Sequence, residues 1–146
     1  MTNVEVTGPA VPRFSRREIA EFVRRALIAL CVDDDIHEVS IAIVDDEAMR
    51  NLNRKFRKKN KTTDVLTFPA DDSDADPNAK GRPLGDIVIS IDQARRQATD
   101  QKHSLATEVR YLILHGVLHA LGYDHETDDG EMNALEVKVR AKVGLE

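Results

Sequence analysis

Residues 104–125, SLATEVRYLILHGVLHALGYDH, decide the fold of this chain. Ser104 is a favoured helix N-cap, and the residues that follow it are predominantly apolar as far as Leu121. Gly122 can then adopt the left-handed backbone conformation that ends a helix and turns the chain back. The stretch therefore predicts a long, very apolar helix from Ser104 through Leu121, followed by a turn.

Helix and strand patterns alternate on either side of this helix. Ser15 and Glu18 have the spacing of a capping box, which predicts a helix start. The pattern predicts strands at 4–6, 38–44, 65–68 and 85–91, further helices from Asp45 through Leu52, from Asp92 to about Thr99 and from Asp128 to about Val143, and an exposed loop over Ala70–Pro83. This mixture predicts an α+β (α/β sandwich-like) fold, a small mixed β-sheet packed with helices, in a single domain over residues 1–146.

Composition excludes several classes of protein. The formal net charge of −5 excludes a uniformly basic nucleic-acid coat, although residues 1–69 carry +1 and residues 70–146 carry −6. The single cysteine, Cys31, excludes an intramolecular disulfide and a cysteine-based zinc cluster. The longest apolar run, residues 26–32, is too short to cross a bilayer, and we expect a cytoplasmic protein without a secretory signal. With six aromatic residues and no tryptophan, a base-stacking platform is poorly supplied.

The C-terminal half of the long helix carries a candidate metal site. His115 and His119 are four residues apart, so they lie on one helix face about 6 Å apart along the axis. The turn at Gly122 returns a third imidazole, His125. Three neutral imidazoles leave coordination positions open for water, which is typical of a catalytic centre. We expect these histidines to bind one Zn²⁺ per chain, although imidazoles also suit other divalent transition metals.

The histidine spacing also matches the metal motif of metzincin proteases. Those proteases carry a general-base glutamate directly after the first histidine, whereas this chain has Gly116 there. Asp124, beside the third histidine, is a candidate catalytic residue that would orient an imidazole or the metal's water. A turn-forming role for Asp124 explains its position equally well.

A second candidate site is the basic segment Arg50–Lys61, which carries seven cations and no acid. Cations favour the C-terminal end of a helix, but that preference accounts for only a few of them. The segment predicts contacts to a phosphate backbone. The predicted substrate-binding residues are Arg54, Lys55, Lys58, Lys59 and Lys61. Arg57 is the candidate catalytic cation, because its planar guanidinium suits phosphate and transition-state charge.

Together these motifs resemble the YbeY family of rRNA-maturation endoribonucleases. The segment HGVLHALGYDH, residues 115–125, is similar to the family's metal motif nearly residue for residue. TDVLTFP at 63–69, preceded by Arg57, resembles the central segment, with Thr67 where serine is usual. LGDIVIS at 84–90 is similar to a strand signature of the family.

The resemblance implies a single-strand-specific, metal-dependent endoribonuclease. Its family acts in ribosomal RNA maturation, chiefly at the 3′ end of the small-subunit RNA, and in ribosome quality control. The family's metal histidines map to His115, His119 and His125, and its important arginine maps to Arg57. The implied partners are single-stranded and ribosomal RNA, the small ribosomal subunit and assembly factors, with no membrane and no small-molecule cofactor. A metzincin-like peptidase and a non-catalytic ribosome-assembly factor with a structural metal remain as alternatives.

Overall fold

The computed structural model describes residues 2–71, 81–123 and 130–145. Within these ranges the chain forms four strands and five helices. In chain order they are β1 (Asn3–Thr7), α1 (Arg16–Ala29), β2 (Ile36–Val44), α2 (Asp46–Arg57), β3 (Val65–Pro69), β4 (Arg82–Ser90), α3 (Ile91–Gln101), α4 (Leu105–Ala120) and α5 (Glu131–Lys142). No helix of the described residues is long and apolar enough to span a bilayer.

The four strands form one mixed sheet in the order β1-β2-β4-β3. Strands β1 and β4 run parallel to β2, whereas β3 is antiparallel to β4 and lies at the outside of the sheet. A parallel pair needs a crossover connection, and α1 lies in the connection between β1 and β2. This arrangement confirms the predicted α+β class.

Helices cover both faces of the sheet because the side chains of β4 alternate between the faces. Ile87 and Ile89 belong to the main core with α1 and α4, whereas Val88 packs with Met49 of α2 in a smaller cluster. Helix α4 is central to the main core, since it contacts β3, β4, α1, α3 and α5. Burial on several sides fixes α4 in place, and with it every side chain that α4 presents to solvent.

The helix starts follow from capping side chains. The capping box of Ser15 and Glu18 is present at the start of α1, and the Ser104 hydroxyl accepts from the Thr107 N–H at the start of α4, which confirms both predicted starts. The predicted cap of α3, Asp92, is wrong. Ser90 caps α3 instead, because β4 runs directly into the helix and this buried serine is the last strand residue.

Strand β4 begins earlier than predicted. The sequence placed Arg82 at the end of an exposed loop and began the strand at Gly85, but β4 starts at Arg82 and ends at Ser90. The Arg82 N–H donates to the carbonyl oxygen of Asp35 at 2.7 Å. Pairing with β2 supplies hydrogen bonds that the local run of glycine and proline does not reveal. The remainder of the predicted loop, residues 72–80, lies outside the described residues.

A carboxylate at the start of α2 fastens the segment that precedes β3. Asp46 accepts two hydrogen bonds of 2.9 Å from Arg96 of α3 and bonds of 3.1 Å from the hydroxyls of Thr62 and Ser90. The hydrogen bond from Arg96 lowers the pKa of Asp46 most, and the two hydroxyls add to this effect against the opposing effect of burial. Asp46 therefore stays ionised and holds Thr62 next to the functional groove described below.

Candidate metal centre and active-site groove

Helix α4 brings the imidazoles of His115 and His119 together on one face. Their Nε2 atoms are 3.0 Å apart, and their ring centroids are 4.5 Å apart at an interplanar angle of 71°. Two imidazole nitrogens that bind one tetrahedral zinc ion at ordinary bond lengths are roughly 3.3 Å apart. The spacing of the two nitrogens therefore fits a shared metal ion without rearrangement of the helix.

A buried carboxylate lies behind His115. Glu136 of α5 is only 5% exposed, and its Oε2 is 4.0 Å from His115 Nδ1. Burial acts to raise the pKa of Glu136, but the hydrogen bond with His115 and the charge of Arg140, 3.1 Å away, outweigh it and lower the pKa. An ionised carboxylate at Nδ1 keeps the proton on that nitrogen, which leaves Nε2 free to bind a metal.

The position after the first histidine faces the sheet rather than the metal site. A Cβ atom added to Gly116 would lie 2.6 Å from Ile87 Cγ2 of β4, closer than real Cβ contacts allow. Position 116 is thus a point of close approach between α4 and the sheet. It has no room for the glutamate that metzincin proteases carry there.

Gly122 ends the helix as predicted. Its φ of +104° is left-handed, and the N–H groups of Gly122 and Tyr123 donate to the last helical carbonyls of α4, those of His119 and Leu118. The predicted site residues Asp124 and His125 lie outside the described residues. Within the described residues, no three His, Cys, Asp or Glu side chains form a set that could hold a metal ion. The two imidazoles of α4 are therefore the described part of the candidate centre.

The two imidazoles open into a groove of about 700 Å³ along β3. Its lining comprises Phe56, Arg57, residues 63–69, His115 and His119. Arg57 is the last residue of α2, so the groove joins the end of α2, the outer strand β3 and the exposed face of α4. The structure thus brings the predicted catalytic arginine and two predicted metal ligands, more than fifty residues apart in sequence, to one place.

The other predicted substrate-binding cations flank this groove without lining it. Arg54 and Lys55 lie in the last turn of α2, Lys58 follows as its left-handed C-cap, and Lys59 and Lys61 continue the segment; all five are exposed. The side chain of buried Asn53 donates to the Lys61 carbonyl oxygen at 2.9 Å and holds this segment against α2. The basic segment is therefore anchored at one end of the groove.

Sequence reasoning missed Glu136, Phe56 and the polar groups of β3 as parts of this site. Glu136 had a detectable signal, since it shares a helix face with Met132 and Val139, both buried, and a charged residue on an apolar face needs a partner. The partner of Glu136, His115, lies on another helix, and no local pattern predicts that contact.

The family model described as "Endoribonuclease YbeY" matches residues 8–144, which include every described residue of the groove. The chain belongs to the YbeY family. The Endoribonuclease YbeY of Nautilia profundicola is 50% identical over 108 residues, 74% of this chain and 73% of that protein. The YbeY protein of Solibacter usitatus is 42% identical over 137 residues, 94% of this chain and 80% of that protein.

The YbeY assignment also agrees with a solved structure. A solution structure from Thermotoga maritima matches with a TM-score of 0.63 and 26% sequence identity, over 96% of this chain and 88% of that one. The resemblance of the sequence motifs to the YbeY family is thereby confirmed.

Proposed function

We propose that this chain is a metal-dependent endoribonuclease that cleaves single-stranded RNA during ribosomal RNA maturation. The observation that carries the proposal is the convergence of two imidazole Nε2 atoms and the Arg57 guanidinium on one groove. The relatives named Endoribonuclease YbeY support the same reaction class. We place its action in the cytoplasm, at the 3′ end of the small-subunit RNA and in ribosome quality control, with the small ribosomal subunit and assembly factors as partners.

The metal ligands in this proposal are His115, His119 and His125. The 3.0 Å separation of the first two Nε2 atoms and the carboxylate behind His115 support one Zn²⁺ per chain. When bound, zinc supplies Lewis acidity to the scissile phosphodiester and to the attacking water. Imidazole ligands suit nickel and copper as well, so metal analysis decides the ion.

The protein's own groups position the RNA. Arg57 would donate to the non-bridging oxygens of the scissile phosphate and stabilise the charge that develops there. The flanking cations Arg54, Lys55, Lys58, Lys59 and Lys61 would hold neighbouring phosphates without reading bases. Asp124, next to the third histidine, would orient an imidazole or the attacking water.

A peptidase reaction is disfavoured by the packing at Gly116. The metzincin general base has no room there, because a side chain at position 116 would collide with Ile87. The cationic end of the groove also suits phosphodiesters better than peptides, which lack regularly spaced negative charge.

The proposal is tested with the purified full chain. Metal content per chain is measured first, and the protein is then incubated with a single-stranded RNA and with an unstructured peptide. We expect RNA cleavage that chelation removes and zinc restores, with the peptide intact. Peptide cleavage by the metal-loaded protein, or RNA cleavage unaffected by complete metal removal, would contradict the proposal.

Binding of single-stranded RNA should depend on salt through the basic segment. Each phosphate contact contributes a slope of about −0.7 to a plot of log K against log salt concentration for single strands. Replacing Lys58, Lys59 and Lys61 with glutamine should flatten the slope by about 2, with little change in sequence preference. The measurement is fluorescence anisotropy of a labelled oligonucleotide across a salt series.

The matched control replaces Lys102, Lys138 and Lys142 with glutamine, since these lysines do not line the groove and also remove three charges. The control should keep the wild-type slope. An unchanged slope in the variant of the basic segment would place the RNA elsewhere on the surface.

A further inference from the structure

One aromatic side chain in the groove is unusually exposed. Phe56 is 55% exposed although it lies in the last turn of α2, between Lys55 and Arg57. A phenylalanine among cations at a solvated helix end adds little to the core. A single exposed apolar residue is ordinary on a protein surface, but this one also lines the groove that contains His115 and His119.

A second ring holds Phe56 in place. Phe68 of β3 meets Phe56 edge to face, with ring centroids 5.1 Å apart and an interplanar angle of 73°. Phe68 is half-buried and packs on the small cluster of Met49, Leu66 and Val88, so the pair is anchored to the sheet. The Lys55 ammonium lies 5.3 Å from the Phe56 ring centroid. The groove therefore has a supported aromatic wall beside its cations.

We propose that Phe56 and Phe68 form a stacking subsite for one unpaired nucleobase, next to the phosphate that Arg57 contacts. The inference rests on the proposed function and deepens it. Cations on both sides of Phe56 suit the phosphates that flank a nucleotide, and an aromatic face between them suits its base. Two of the four phenylalanines thus lie in the groove, whereas composition alone indicated a poor supply for stacking.

This subsite gives single-strand preference a physical cause. A base within a duplex has both faces covered by its neighbours, so it cannot stack on Phe56 unless it leaves the helix. An unpaired base stacks without that cost. Stacking also tolerates any base, since every base has an aromatic face, and so the subsite selects strandedness rather than sequence.

The test uses single-turnover cleavage of a short single-stranded RNA by the metal-loaded full chain at increasing enzyme concentration. Phe56→Leu keeps the apolar volume and loses the aromatic face. It should raise the half-saturating enzyme concentration about fivefold or more with metal content unchanged. Phe56→Trp should keep near-wild-type affinity, and Ile28→Ala, at an equally exposed position of α1, is the matched control.

A series of RNAs with one abasic nucleotide, moved along the strand, locates the base. At one position the abasic RNA should weaken wild-type binding about as much as Phe56→Leu does, and the two changes together should cost little more than either alone. Additive losses at every position, or a Phe56→Leu protein within about twofold of wild type, would overturn the subsite. Absence of RNA cleavage by the wild-type protein would instead overturn the proposed function.

Discussion

Replacing His115 with alanine should abolish stoichiometric metal binding and reduce RNA cleavage by about 10³-fold or more. His115 and His119 present their Nε2 atoms 3.0 Å apart on the same helix face, so removing either leaves the metal at most two of its three imidazoles. Two ligands rarely hold zinc tightly. His119→Ala should have the same effect, while His125→Ala should weaken binding and leave a residual site.

Elemental analysis after dialysis against a weak chelator measures this loss, with cleavage assayed in parallel. His37→Ala is a suitable control, because it removes a half-buried imidazole from β2 that does not line the groove. One tightly bound metal per chain in the His115→Ala protein would show that the proposed ligand set is wrong. Cleavage that survives in His119→Ala would point to a contaminating nuclease.

Replacing Arg57 with alanine should lower the cleavage rate more than the affinity for RNA. If Arg57 stabilises charge that develops in the transition state, its loss should reduce the maximal single-turnover rate by about 10- to 100-fold. Metal content should not change, since no imidazole is altered. Arg57→Lys keeps the charge but loses the planar fork of donors, so it should restore the rate only in part.

Arg54→Ala is the matched control for Arg57. Arg54 lies one turn earlier on α2, is exposed, and donates to Asn51 at 3.1 Å rather than lining the groove. Its loss should weaken RNA binding slightly and leave the maximal rate near wild type. A maximal rate of Arg57→Ala within about twofold of wild type, under about 0.5 kcal/mol in barrier height, would remove Arg57 from the catalytic groups.

Local signals predicted the helices well because their causes lie within a few residues. Ser15 with Glu18 and Ser104 cap helices through hydrogen bonds to N–H groups in the next turn, and Gly122 ends α4 through its own backbone conformation. The same reasoning failed for α3, where Ser90 rather than Asp92 is the cap. Both residues are good caps, and only the end of β4 decides between them.

The start of β4 was missed for a related reason. Arg82 and its neighbours read locally as a loop, but a strand is stabilised by partners distant in sequence. Here β2 and β3 pair with opposite sides of β4, and residues with weak strand preference are drawn into the sheet. Strand limits are therefore less predictable than helix limits wherever pairing outweighs intrinsic preference.

The sequence by itself determined the α+β class, the helix face that carries His115 and His119, the cationic segment around Arg57, and the family resemblance. These follow from periodicity, spacing and residue chemistry, which are properties of short stretches of chain. Only the tertiary structure decided that Glu136 lies behind His115, that Gly116 packs on Ile87, and that Phe56 meets Phe68 in the groove. Each of these contacts joins elements far apart in the chain, and its geometry exists only once α4 and α2 have packed on the sheet.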